Sequence, residues 1–187
     1  MRQGLAAGVR FFQYRCKNAT RRSIYETSVL LARISRDAGA LFIVNDHADV
    51  AAAADADGVH LGQDDLPIEY GRRVLGVGKI IGASTHTVAQ ARAAEAAGAD
   101  YIGFGPIFKT STKDAGQTQG IGNLSIIKHS VAIPVIAIGG VNQANLQFVA
   151  QSGADGAAVI SVVLKAPDIT IAAGQLVRLW TNARRDT

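Results

Sequence analysis

The chain repeats one unit: an alanine-rich stretch, a glycine, often an Ala-Asp, and a short apolar run that stops abruptly at polar residues. It is legible in AAGVRFFQYRCK, DAGALFIVNDH, ADADGVHLGQDD, AAGADYIGFGPIF and QSGADGAAVISVV. Gly8, Gly39, Gly98 and Gly153 stand where a helix C-terminus needs a left-handed residue, so each unit reads as helix, cap, strand and loop. KIIGAST and IPVIAIGG supply two further strands after other connectors. The runs are apolar on both faces, the mark of parallel strands buried between layers. Between them the periodicity is helical: Ile24, Leu31, Ile34 and Ala38 can share a face, with Arg22, Arg33 and Arg36 turned away.

Seven strands alternating with helices leave a doubly wound sheet or a TIM barrel as candidates. No strand is followed by GxGxxG or GxxxxGK[ST], and polar residues gather after nearly every strand rather than at one switch point. The fold expected is a TIM (β/α)8-type barrel with seven strands visible, in a single domain over 1–187.

With 187 residues, 48% of them hydrophobic, the chain can bury one sizeable core. It has no apolar run long enough to span a bilayer, and arginines interrupt any signal-peptide core, so a soluble cytoplasmic protein without a membrane partner is expected. A single cysteine, Cys16, excludes an internal disulfide, and no Cys/His cluster has zinc spacing. The net charge is +4 and the isoelectric point near 9.5, but the basic residues are scattered and aromatics make up only 6%. Small phosphorylated molecules therefore suit the chain better than nucleic acid.

Candidate chemistry follows the strands in order. Gln13, Arg15 and Lys17 alternate, so extended backbone would point all three one way, and an apolar barrel holds two cations there only if an anion arrives. Asn45-Asp46 ends the next strand and Gly62-Gln63-Asp64-Asp65 the one after, placing carboxylates side by side. These could form salt bridges with Arg15 and Lys17, or hold a magnesium ion that completes its shell with phosphate and water. Asp64 is expected to cap or bond locally, leaving Asp65 as ligand. Ser84 and Thr85 could bind phosphate or cap the helix beginning at Thr87 or Val88. The loop from Gly105 to Gly116, with Thr110, Ser111, Thr112 and Lys113, is long enough to wrap an anion. Gly139-Gly140 and Ile160-Ser161 end the last two strands, where barrels place phosphate against the main chain.

In order, QYRCK, NDHAD, GVHLGQDDLP, IIGASTH, YIGFGPIFKTSTK, VIAIGGV and VIS resemble the motif series of the thiamin phosphate synthase family, from Gln13 nearly to the C-terminus. That resemblance implies a transferase of thiamine biosynthesis: an aminopyrimidine methyl diphosphate loses pyrophosphate, and the thiazole phosphate nitrogen captures the carbocation. It implies Mg2+ on Asp46 and Asp65, and diphosphate held by Gln13, Arg15, Lys17, Asn45, Ser84 and Lys113. Of these, Arg15, Lys17, Ser84 and Lys113 would serve catalysis. Thr110, Thr112, Gly140, Ile160 and Ser161 would meet the thiazole phosphate, and Ser111 would join the substrate contacts. Two alternatives compete: a thiazole tautomerase-like homologue, against which the Asp46/Asp65 pair and TSTK argue, and a non-catalytic phosphate-binding remnant. The family also begins with a strand and helix that this sequence lacks, so an N-terminally truncated barrel is expected, with open edges inviting a homo-oligomer.

Overall fold

The computed structural model describes residues 1–110 and 117–185 and contains seven parallel strands lying side by side in chain order. They are β1 (Phe11–Tyr14), β2 (Leu41–Asn45), β3 (Gly58–Leu61), β4 (Ile80–Thr85), β5 (Tyr101–Phe104), β6 (Val135–Ile138) and β7 (Gly156–Ala158). Helices α2 (Arg21–Asp37), α3 (Ala48–Ala53), α4 (Ile68–Leu75), α5 (Val88–Ala96), α6 (Gly120–Ser130) and α7 (Leu146–Gln151) form the crossovers. Helix α1 (Arg2–Ala6) precedes β1, while α8 (Ser161–Leu164) and α9 (Ile169–Arg185) follow β7. A doubly wound sheet would reverse its strand order at a switch point, and this one never does. Among the described residues no helix is long and apolar enough to cross a membrane.

Alternation along each strand separates two environments. Phe42 and Val44 of β2 are fully buried among Ile24, Ala48 and Ala51 of the surrounding helices. On the far side of the sheet, Ile102 and Val135 pack with Leu124, Ile127 and Val149. The opposite face curls inward. Tyr101 of β5 meets Phe11 of β1 edge-on at 5.4 Å between ring centroids, although β1 and β5 are four strands apart. Gly82 of β4 makes the curl possible, because a Cβ there would stand 2.1 Å from Cζ of Tyr101. Among the described residues the barrel does not close: β1 and β7 are the sheet's two edges. Phe11 and Leu41, on the inner face, are 39% and 43% exposed while Phe42 beside them is 0% exposed, so the outer layer is complete where the inner face lies open.

The repeated Asp before a strand has one structural use. The backbone N–H of Asp57 donates to the carbonyl of Phe42 at 2.9 Å, and its carboxylate accepts from the N–H of the same Phe42 at 2.7 Å. Asp100 grips Ile81 in the same way at 2.7 and 2.7 Å, and Asp155 grips Val135 at 2.9 and 2.8 Å. Each clasp pins the strand it precedes to its neighbour at the N-terminal end of the sheet, setting the register Gly82↔Tyr101 and Ile136↔Gly156.

The glycines expected at helix ends are left-handed, with φ of 94°, 61°, 89° and 88° at Gly8, Gly39, Gly98 and Gly153. The expected buried face of α2 is corrected. Ile24 is buried, but Ser28, Ala32 and Ser35 fill the rest of the stripe; Leu31 and Ile34 lie half-buried at its margin, and Ala38 is exposed as the C-cap. The residues against the sheet are small because the helix lies close to it. Arg22, Arg33 and Arg36 face solvent as expected.

Candidate active site at the C-terminal mouth

The loops after the strands bring the expected residues to one rim in two groups. The first gathers around β1 to β4. Asn45 is buried at the end of β2, and the chain then turns sharply at Asp46, whose φ of 67° is unusual for a residue with a side chain. The backbone N–H of Asp46 donates to the carbonyl of His60 in β3 at 2.8 Å, which fixes the turn and aims its carboxyl at the β3 loop. There Asp65 accepts from the backbone N–H of Gly62 through Oδ2 at 2.6 Å, so Asp65, rather than the expected Asp64, makes the local bond.

The Asp46 and Asp65 carboxyls hydrogen-bond to each other. Burial, then that bond and the charge of Asp65, raise the Asp46 carboxyl above its ordinary range, while Arg15 and His47 pull it partly back. Arg15 thus lies within electrostatic reach of the pair. Lys17 does not continue the extended run, because β1 ends at Tyr14 and Lys17 sits exposed in a turn. Among the described residues no cluster of three or more His, Cys, Asp or Glu side chains forms, so this site offers two carboxylates.

Ser84 lies at the inner face of β4, buried, with its Oγ 2.9 Å from Nε2 of His60 and its carbonyl accepting from Nε2 of Gln63 at 2.6 Å. Thr85 turns away and donates to the carbonyl of Gly103 at 3.3 Å. Thr87 caps α5, accepting from the N–H of Gln90 at 3.1 Å, so the helix begins at Val88. Sequence reasoning missed His60 and Tyr101, which read there as strand core. His60 Nδ1 is 2.9 Å from the Tyr101 hydroxyl, and the Gln13 side chain bonds that hydroxyl from the mouth side.

The second group surrounds a cavity of about 370 Å³ lined by Lys109, Thr110, Gly140, Asn142, Ser161 and Lys165. Gly140, at φ 71°, could carry no side chain: a Cβ would lie 2.7 Å from the carbonyl oxygen of Lys109. Its carbonyl is tied back by Asn142 at 3.2 Å and Asn145 at 3.0 Å, which hold the turn in shape. Ile160 caps α8 just before Ser161. Lys109 and Lys165 are the residues added to the expected set, and both suit an anion. The sequence signal for Lys165 is weak, since it follows the expected turn by several residues. Ser111, Thr112 and Lys113 lie outside the described residues.

A sequentially wound parallel barrel sheet with paired carboxylates and a cationic cavity on its C-terminal rim is the build of a phosphate-handling barrel enzyme. Comparison with known proteins narrows that class. The family model for thiamine monophosphate synthase matches residues 1–163, and the chain belongs to that family of transferases. It is 49% identical to the thiamine-phosphate synthase of Chloroflexus aurantiacus over 173 residues, covering 92% of this chain and 80% of that one. It is 45% identical to the enzyme of the same name from Moorella thermoacetica over 185 residues, covering 98% and 88%. The solved thiamine phosphate pyrophosphorylase from Pyrococcus furiosus superposes with a TM-score of 0.92 at 43% identity, covering 97% of this chain and 88% of that one.

Proposed function

We propose that the chain joins 4-amino-2-methyl-5-(diphosphooxymethyl)pyrimidine to thiazole phosphate, giving thiamin phosphate and pyrophosphate. The observation that carries this reading is the contact between the Asp46 and Asp65 carboxyls beside Arg15. Two carboxylates held together in a partly buried site repel unless a proton or a cation lies between them. Magnesium fits this donor set, because it takes one or two carboxylates and fills its shell with water and substrate phosphate. Bound there, it would neutralise charge on the departing pyrophosphate.

The remaining work falls to the chain's own side chains. Arg15 and Lys17 extend positive charge along the diphosphate, and Gln13, Asn45 and Ser84 donate neutral hydrogen bonds to that substrate. Lys113 adds a further cation to the diphosphate contacts. Thr110, Ser111, Thr112, Gly140, Ile160 and Ser161 hold the thiazole phosphate, with Lys109 and Lys165 supplying its counter-charge. No covalent nucleophile or general base is needed. The carbon–oxygen bond to pyrophosphate breaks as charge develops on groups already opposed by cations, and the thiazole nitrogen is held in line to form the new carbon–nitrogen bond.

The test is Asp65→Asn. Thiamin phosphate formation is expected to fall by about 10²–10³, and calorimetric magnesium binding in the presence of pyrophosphate to weaken, while thiazole phosphate binding stays unchanged. Unchanged magnesium binding and turnover would remove Asp65 from the site.

A further inference from the structure

The hydrogen bonds running across the barrel interior have a direction. The Tyr101 hydroxyl is deeply buried, and burial raises its pKa far above neutrality, so it keeps its single proton. That hydroxyl has one proton to give, and a ring nitrogen able to accept it, Nδ1 of His60, lies 2.9 Å away. A neutral imidazole that accepts at Nδ1 carries its proton on Nε2, and Nε2 lies 2.9 Å from Oγ of Ser84. Ser84 then accepts from His60, and its own proton is left to point elsewhere. His60, Ser84 and Tyr101 are 6%, 7% and 7% exposed, so water competes little for these bonds.

The reverse polarity lacks this outcome. With the proton on Nδ1, Tyr101 would accept from His60 and Ser84 would spend its proton on Nε2, leaving only lone pairs for an incoming anion. Ser84 would then repel the group it is read as binding.

We propose that Tyr101 and His60 form a one-way hydrogen-bond relay that turns the Ser84 hydroxyl proton toward the diphosphate. His60 and Tyr101 are thereby positioning residues, acting through Ser84 without net proton transfer. The relay rests on the reading of Ser84 as a diphosphate contact. Gly103 supports it sterically: a Cβ there would press to 3.1 Å from Cε1 of His60, so the glycine leaves the imidazole the place it occupies between β4 and β5.

The two His60 nitrogens can be separated by substitution, since the amide nitrogen of glutamine reaches the position of Nε2 and that of asparagine the position of Nδ1. In steady-state kinetics Ser84→Ala and His60→Asn should each lower kcat by roughly tenfold to a hundredfold, with KM for thiazole phosphate little changed. His60→Gln should retain more activity than His60→Asn, and His60→Asn should add no further loss in the Ser84→Ala background. Tyr101→Phe, which keeps the ring, should lower kcat by releasing the tautomer. Wild-type kcat in His60→Asn alongside an impaired Ser84→Ala would overturn the relay and leave Ser84 as a contact. Wild-type kcat in Ser84→Ala would remove that contact and the relay with it. Correlation of ring ¹⁵N and ¹H signals in the folded wild-type protein reads the tautomer without any variant: a proton on Nε2 of His60 is expected, and a proton on Nδ1 contradicts the proposal.

Discussion

Asp46 combines a left-handed backbone with a carboxyl whose pKa is raised, first by burial and then by the bond to Asp65 and its charge. Its folded-state pKa therefore lies above its unfolded value, so the folded chain holds that proton to higher pH than the unfolded chain does. The stabilisation this gives is fully present below the unfolded value and is lost as pH rises through the raised folded value. In a chelator, the melting temperature of the wild-type protein should fall across that window, and Asp46→Asn should flatten the dependence. A wild-type profile that matches the variant would show that the two carboxyls do not share a proton. The Asp pair was legible in the sequence because NDHAD and GQDD each end an apolar run, so two adjacent strand ends had to present acids together. His60 and Tyr101 were not. Within GVHLG and YIGF they read as strand interior, and they meet only because β4 carries Gly82 between them.

At the scale of the elements, the Ala-Asp that recurs before β3, β5 and β7 clasps each of these strands to its preceding neighbour. Asp100 accepts from the N–H of Ile81 at 2.7 Å and from Arg72 at 2.6 Å. Asp100→Ala would leave the Ile81 N–H without that partner near a buried strand, at a cost of about 1–3 kcal/mol. Urea unfolding should show this as a lower midpoint with an unchanged slope; a midpoint equal to wild type would mean the clasp contributes nothing net. The repeat itself was visible in the sequence, but the second bond of each clasp was not, because it links residues 15 to 20 apart through a register that only the folded sheet sets. The stripe of α2 was misread for a related reason. Periodicity marks large apolar residues, whereas close approach of helix to sheet selects Ser28, Ala32 and Ser35.

For the whole molecule, strand order and count were both readable from seven apolar runs, and the early arrival of the Gly140 and Ser161 turns pointed to a sheet one strand short of closure. The open inner face follows from that, with Phe11 and Leu41 exposed between the edges β1 and β7. Unpaired parallel edges beside exposed apolar groups favour pairing between copies. Sedimentation of the 187-residue chain should therefore give a mass above 19.5 kDa that falls on dilution; a concentration-independent monomer would show that the edges are protected. The cationic cavity and the carboxylate pair stand on separate parts of the same rim, as a reaction that joins two phosphorylated substrates requires. The most direct test of that account is to supply the pyrimidine diphosphate, the thiazole phosphate and magnesium, and to quantify both products. Thiamin phosphate and pyrophosphate are expected in equal amounts, saturable in each substrate and lost when either is omitted. Absence of thiamin phosphate under conditions where calorimetry shows both substrates bound would contradict it.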